Sequence, residues 1–116
     1  MNWLSADLWR GRRVLVTGGS GFLGGWLCQL LIQAEAQVHS TGNRNRPHWG
    51  TVFHQVMLPK DTEYLVQHTQ PEVVFHLAGP VNPGDTPELR SILRSGIVDA
   101  TASVVDATKT AGARLI

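Results

Sequence analysis

The strongest constraint on this chain is the stretch Thr17-Gly18-Gly19-Ser20-Gly21-Phe22-Leu23-Gly24, in which four glycines follow directly on the apolar run Val14-Leu15-Val16. Glycine is the default residue where backbone turns tightly or approaches another group closely, so a run this dense interrupts regular structure. The segment before it, Arg13 to Thr17, is apolar and β-branched and predicts a buried strand. After it, Leu23, Leu27, Leu30, Leu31 and Ala34 recur at helical spacing, which predicts an amphipathic helix over Phe22–Ala34 that covers a sheet face. Strand, glycine turn and helix in that order open a βαβ unit.

The alternation continues along the chain. Gln37 to Thr41 reads as a second strand, Gly42 to Gly50 has loop chemistry, and Thr51 to Met57 reads as a third strand. Asp61-Thr62-Glu63 starts a helix that runs to Thr69, where Gln70-Pro71 blocks it. Glu72 to Leu77 is a fourth strand and Gly79 to Pro87 a loop. Leu89, Leu93, Ile97, Thr101, Val104, Val105 and Thr108 then mark a long helix over Glu88–Ala111. Ala113 to Ile116 begins a fifth strand. The fold class expected is α/β, a Rossmann-type open parallel sheet with helices on both faces and strand order 3-2-1-4-5, stopping after the start of strand 5. With 116 residues, 42% hydrophobic and 16% charged, the chain has room for one core, so residues 1–116 are expected to form a single, incomplete domain.

The loop contains both a G-x-x-G-x-x-G register from Gly18 and a G-x-G-x-x-G register from Gly19. Between a strand and a helix this pattern binds the pyrophosphate of a dinucleotide: Gly18 permits the turn, Gly21 admits the phosphates close to the backbone, and Gly24 lets helix pack on strand. Free N–H groups and the positive end of the helix dipole face the anion, so no lysine is required. Ser20 is a loop hydroxyl near phosphate, with no histidine and carboxylate placed to activate it. The alternative is a glycine-rich turn without a ligand. At the end of the second strand a carboxylate would accept a bond from the ribose 2′-hydroxyl of NAD, but the sequence reads Ser40-Thr41-Gly42-Asn43-Arg44. Arg44, with Arg46, offers a guanidinium to a 2′-phosphate, which favours NADP over NAD; both arginines as solvated loop residues is the competing reading.

Other classes are excluded or disfavoured. A net charge of +1 leaves no electrostatic footprint for nucleic acid. Cys28 is the single cysteine; no intrachain disulfide can form, and it reads as a small buried hydrophobe in a reducing compartment. Met1 to Trp9 lacks the apolar core of a signal peptide, and no run has membrane-spanning length, so a soluble cytoplasmic protein without membrane partners is expected. The five histidines show no metal-ligand spacing, and no metal is expected.

With these residues in view, the chain resembles the extended short-chain dehydrogenase/reductase family, the NAD(P)-dependent epimerases and dehydratases of nucleotide sugars. Thr17-Gly18-x-x-Gly21-Phe22-Leu23-Gly24 resembles the family's TGxxGFxG loop, and Pro71-Glu72-Val73-Val74-Phe75-His76-Leu77-Ala78-Gly79 resembles its PDVVFHLAA strand. Leu8 to Val14 and Gly25-Trp26-Leu27 are similar to CDP-glucose 4,6-dehydratases in particular. The resemblance implies a cofactor site of Gly18, Ser20, Gly21, Phe22, Leu23 and Gly24, joined by Asn43 and Arg44, with Leu77, Ala78 and Gly79 lining the cofactor beyond the fourth strand. It implies a packed, structural His76. Where the family contacts adenine with an aspartate and an aliphatic residue, this chain has Met57-Leu58, which leaves Leu58 for that contact. The family's asparagine in the long helix falls on Ile97.

The family's catalytic Tyr-x-x-x-Lys segment has no counterpart, since Tyr64 is followed four residues later by His68; no catalytic residue is assigned. The resemblance implies the N-terminal dinucleotide-binding portion of such an enzyme, inactive alone, with a nucleotide sugar as partner only in a complete enzyme. A free-standing, non-catalytic NAD(P)-binding module and a decayed, non-functional fragment are the alternatives. An open sheet edge and the stripe Leu89, Leu93, Ile97 and Val104 point to a homo-oligomer, although the same residues fit an ordinary core.

Overall fold

Strand β1 (Arg13–Thr17) is buried at four consecutive positions from Val14 to Thr17, the pattern of a strand covered on both faces. Its sheet contains β2 (Gln37–Gly42), β3 (Val52–Gln55), β4 (Val73–His76) and β5 (Arg114–Leu115), ordered β3-β2-β1-β4-β5. Every pairing is parallel. The protein is seen here as a computed structural model, which describes residues 6–19, 21–42, 50–56, 58–77, 87–88, 91 and 94–116. The helices are α1 (Ala6–Trp9), α2 (Phe22–Gln33), α3 (Thr62–Thr69) and α4 (Ala100–Ala111), the last preceded by a π-helical turn over Arg94–Asp99. This is the expected Rossmann-type architecture, with the expected strand order.

Alternation along the strands divides the core in two, because successive side chains leave a sheet on opposite faces. Val14 and Val16 join Trp9, Cys28, Leu31, Ala34, Val38 and Phe75 under α1 and α2. Leu15 joins Leu65, Val66, Val74 and Val104 under α3 and α4. Trp9 reaches under the sheet from the short α1 and meets the Phe75 ring with centroids 6.0 Å apart. At the N-terminal edge of the sheet, Arg10 pairs with Glu35 at 2.7 Å, and Arg12 and Arg13 pair with Glu72 at 3.0 and 3.4 Å. These pairs are solvated and orient chain ends more than they stabilise them.

Two helix faces differ from the sequence expectation. In α2 the buried residues are Gly24, Cys28 and Leu31, while Leu23 and Leu30 of the expected stripe are exposed. The helix is apolar almost all round, so periodicity alone leaves its rotation undetermined; the close seat at Gly24 selects which side faces the sheet. In the long helix, Val104 and Thr108 are buried as expected, but Ile97 and Val105 are 49% and 42% exposed. A π-helical turn closes i→i+5 bonds, so it shifts the helical phase between Ile97 and Val104 and turns Ile97 outward. Ile97, Val98, Thr101, Ala102, Val105 and Asp106 thereby form a shallow, mostly apolar depression on the outer face. Leu89 and Leu93 lie outside the described residues.

Truncation at the two positions of the α2 stripe should separate the faces. Leu31→Ala, at 0% exposure, is expected to lower unfolding free energy by about 2 to 5 kcal/mol. Leu23→Ala, at 69% exposure, should stay within about 0.5 kcal/mol. Denaturant unfolding of both variants checks the assignment.

Candidate functional site

In a sheet of order β3-β2-β1-β4-β5 the chain reverses its winding direction between β1 and β4, and such a switch point leaves a crevice at the C-terminal ends of the strands. The glycine loop emerges there from β1. Gly18 takes φ of +74°, a left-handed conformation that side-chain-bearing residues adopt at a cost, and it turns the chain sharply off the strand. Thr41 at the end of β2 holds the turn with two bonds: Gly19 N–H donates to the Thr41 carbonyl at 2.8 Å, and Gly18 N–H to its Oγ1 at 3.3 Å. Gly21 N–H donates back to the Gly18 carbonyl at 3.0 Å.

Gly21 and Gly24 are glycines for different reasons. A Cβ on Gly24 would collide with the Gly18 carbonyl oxygen and lie 2.8 Å from the Gly18 carbonyl carbon and 2.9 Å from Gly19 Cα. Backbone surrounds that position, so nothing can give way. Gly21 has φ of −79° and ψ of 174°, a conformation open to any residue. Among the described residues, a Cβ there would meet the Gly18 carbonyl oxygen, at a tight 3.3 Å. Glycine at 21 thus answers neither to a left-handed φ nor to a collision as severe as that at 24, though a side chain would press on one backbone oxygen; this exposed position caps α2 without a side-chain hydrogen bond. Beyond it, the N–H groups of Phe22, Leu23 and Gly24 belong to the first helical turn, where no intrahelical acceptor reaches them. Gly25 N–H is the first to close the helix, onto the Gly21 carbonyl at 2.9 Å. The result is an uncapped, dipole-positive helix end behind a bare backbone position, chemistry suited to an anion.

His76 ends β4 beside this loop. Its Nδ1 lies 2.7 Å from Thr17 Oγ1 and its Nε2 3.0 Å from Thr101 Oγ1 on α4. Leu77 N–H donates to Thr17 Oγ1 at 3.1 Å. Each ring nitrogen thus faces a threonine hydroxyl, which can donate or accept, so a neutral ring satisfies both contacts, donating from one nitrogen and accepting at the other. Burial holds His76 below the ordinary histidine value, in keeping with a neutral ring. His76 therefore ties β4 to β1 and α4. Cys28 is buried, and burial pushes its thiol up to about 11, so it is an inert packing group.

The remaining sequence candidates divide by place. Phe22 and Leu23 are exposed on the first turn of α2, and Leu77 is exposed just past β4. Leu58 is half-buried and packs against the core on the α3 side. Ser20, Asn43, Arg44, Ala78 and Gly79 lie outside the described residues. Sequence reasoning passed over Thr41 and Thr17, whose hydroxyls organise the loop and the His76 network. Their signal was a buried hydroxyl at the C-terminal end of each of two central strands. Among the described residues no group of three or more His, Cys, Asp or Glu is placed to hold a metal ion, and no helix is long and apolar enough to cross a membrane.

The sequence matches the model of the NAD dependent epimerase/dehydratase family over residues 14–116. The chain belongs to that family. No curated protein matches it significantly. Similar solved structures include an epimerase from Methanothermobacter thermautotrophicus, at TM-score 0.79 and 23% identity, covering 97% of this chain and 36% of that one. The UDP-glucose 4-epimerase of Thermus thermophilus, crystallised with NAD, has TM-score 0.78 and 24% identity, covering 89% of this chain and 36% of that chain. The enzyme WbmH of Bordetella bronchiseptica, in complex with NAD+, has TM-score 0.77 and 20% identity with the same coverages, 89% and 36%. At these identities the likeness establishes the fold, and this epimerase/dehydratase chain spans about a third of the length of each neighbour.

The two glycines should separate on substitution. Gly24→Ala is expected to cost about 1 to 3 kcal/mol or more, since the added carbon is pressed against backbone. Gly21→Ala, which presses less closely on a single backbone oxygen, should cost less, about 1 kcal/mol or below. Thermal unfolding followed by circular dichroism measures both.

Proposed function

We propose that this chain is the N-terminal dinucleotide-binding portion of an NAD(P)-dependent nucleotide-sugar epimerase or dehydratase, seating the cofactor pyrophosphate on the start of α2. The observation that carries this reading is the start of α2: the exposed Gly21, whose backbone conformation is open to any residue, stands before a helix end with no side-chain cap. Gly18, Ser20, Gly21, Phe22, Leu23 and Gly24 form the pyrophosphate cradle in this proposal. Asn43 and Arg44 receive the adenosine ribose, Leu58 the adenine, and Leu77, Ala78 and Gly79 the cofactor portion past β4. Family membership and neighbours crystallised with NAD support a nicotinamide dinucleotide. The lack of a carboxylate from Ser40 to Arg46 supports a preference for the 2′-phosphorylated form, with Arg44 as its partner.

When bound, the nicotinamide supplies hydride transfer at a sugar carbon. This chain's share is to bind and orient: the α2 N–H groups fix the pyrophosphate, and the Thr17–His76–Thr101 network keeps the ends of β1 and β4 in register beside it. The only tyrosine, Tyr64, has His68 rather than lysine four residues on, so no proton-transfer role is assigned here. A nucleotide sugar is a partner of the whole enzyme, and self-association through the outer face of α4 fits the exposed Ile97, Val98 and Val105.

Titration of the purified chain with NADH and NADPH, followed by nicotinamide fluorescence, tests the reading. Binding is expected for the parent, and Gly21→Val should abolish it while the circular dichroism spectrum is kept. Failure of both nucleotides to bind, or full binding by a folded Gly21→Val, overturns it. Arg44→Ala should weaken NADPH more than NADH, by the roughly 1.5 to 3 kcal/mol of a charge-assisted bond; equal weakening removes Arg44 from the site.

A further inference from the structure

His39 on β2 and His54 on β3 leave the same face of the sheet. His54 is in register with Thr41, and His39 lies two residues before Thr41 on the same strand. Their rings stack with centroids 5.3 Å apart at 25°, and His39 Nδ1 lies 3.0 Å from His54 Nε2. A nitrogen–nitrogen contact this short needs one N–H and one lone pair. The pair satisfies it with two neutral rings or with a single added proton. With both rings protonated, no acceptor remains and two like charges face each other.

The surroundings make that second proton unwelcome. From α3, His68 meets His54 edge-on at 6.0 Å and stacks on Tyr64 at 5.5 Å. From β1, Leu15 is the neighbour in register with His39, and it is apolar. Burial pushes His39 below the ordinary value of 6.5, with His68 adding to the effect. Burial likewise lowers His54, with His39 and His68 adding to it. Among the described residues, no carboxylate acts on either ring. The pair also sits where edge strand β3 is fastened, with Val56 N–H donating to the Gly42 carbonyl at 3.1 Å just beyond it. Thr41, the residue that clasps Gly18 and Gly19, stands beside His54 on the neighbouring strand and two residues after His39.

We propose that the His39–His54 contact is an acid-sensitive latch, joining β3 to the end of β2 that holds the glycine loop and releasing that hold when both rings are protonated. Both histidines have folded-state values below the unfolded value, so the folded state binds fewer protons. Their stabilising contribution is complete well above pH 6.5, declines as pH falls through 6.5, and levels off below the lower folded values. The two rings titrate as a coupled pair, with the second proton entering well after the first.

Two measurements on the whole chain test this. Ring-proton NMR titration of the parent should show His39 and His54 titrating in two separated, interdependent steps, the second below 6.5; two independent midpoints at 6.5 would overturn the latch without any variant. Thermal unfolding of the parent should fall by about 4 °C or more between pH 7.5 and pH 5.0. His54→Gln, which keeps a hydrogen-bonding group and removes the charge, should lose at least half of that decrease. His39, which burial still lowers in the variant, and His76, likewise held neutral by burial, account for the remainder. An unchanged pH dependence in folded His54→Gln overturns the proposal. NADH affinity should drop with acid in the parent and drop less in His54→Gln. That last comparison rests on the nucleotide-site reading. Absence of NADH binding at pH 7.5 counts against that reading alone, while the ring titration and the unfolding series decide the latch.

Discussion

The seat of α2 on the end of β1 is the contact on which the rest of this structure depends. The missing side chain at Gly24 lets the helix lie against the Gly18–Gly19 backbone, and that approach fixes the helix in rotation as well as position. With Gly24 inward, Cys28 and Leu31 follow at the next turns and meet Val14 and Val16 of the central strand. The same placement sends Leu23, Trp26 and Leu30 outward. It also sets the first turn of the helix, which has no side-chain cap, at the C-terminal end of β1. The packing of the helix and the place of its free N–H groups therefore share one cause.

The two ends of the parallel sheet have separate duties. Around the strand starts, Arg10, Arg12 and Arg13 meet Glu35 and Glu72 in solvated ion pairs. At the strand ends, hydroxyls and imidazoles replace them: Thr17 and Thr101 on His76, Thr41 on the glycine loop, and His39 on His54. Neutral hydrogen bonds suit a place where polar groups are partly buried, because they fix geometry without taking a charge out of water. Burial holds His39, His54 and His76 below the ordinary histidine value, so the rings at this end of the sheet favour their neutral forms.

Membership of the epimerase/dehydratase family rests on residues 14–116, and the parts of the site with the firmest geometry are the ones the motif spelled out. The turn at Gly18 and the close approach at Gly24 each require a particular backbone relation, which a glycine at fixed spacing reports directly. Leu58 shows the limit of carrying a contact across by position. It is half-buried against the core on the α3 side, so any role toward adenine is shared with packing.

By itself the sequence determined the succession of strands and the helices between them, the parallel pairing and the strand order, though not the short α1, because short buried β-branched runs, helical periodicity and a glycine turn are local patterns that admit few topologies. It also determined the loop, since glycine is the one residue whose absent side chain is itself the message. Tertiary structure alone decided which side of α2 is buried, because an almost wholly apolar helix carries no directional signal and the backbone contact at Gly24 breaks the tie. It decided that Ile97 faces outward, through a π-helical turn that shifts the phase of the long helix. And it decided that His39, His54 and His68, scattered over thirty positions of sequence, stand ring against ring: proximity between strands is set by register, and register is a property of the assembled sheet.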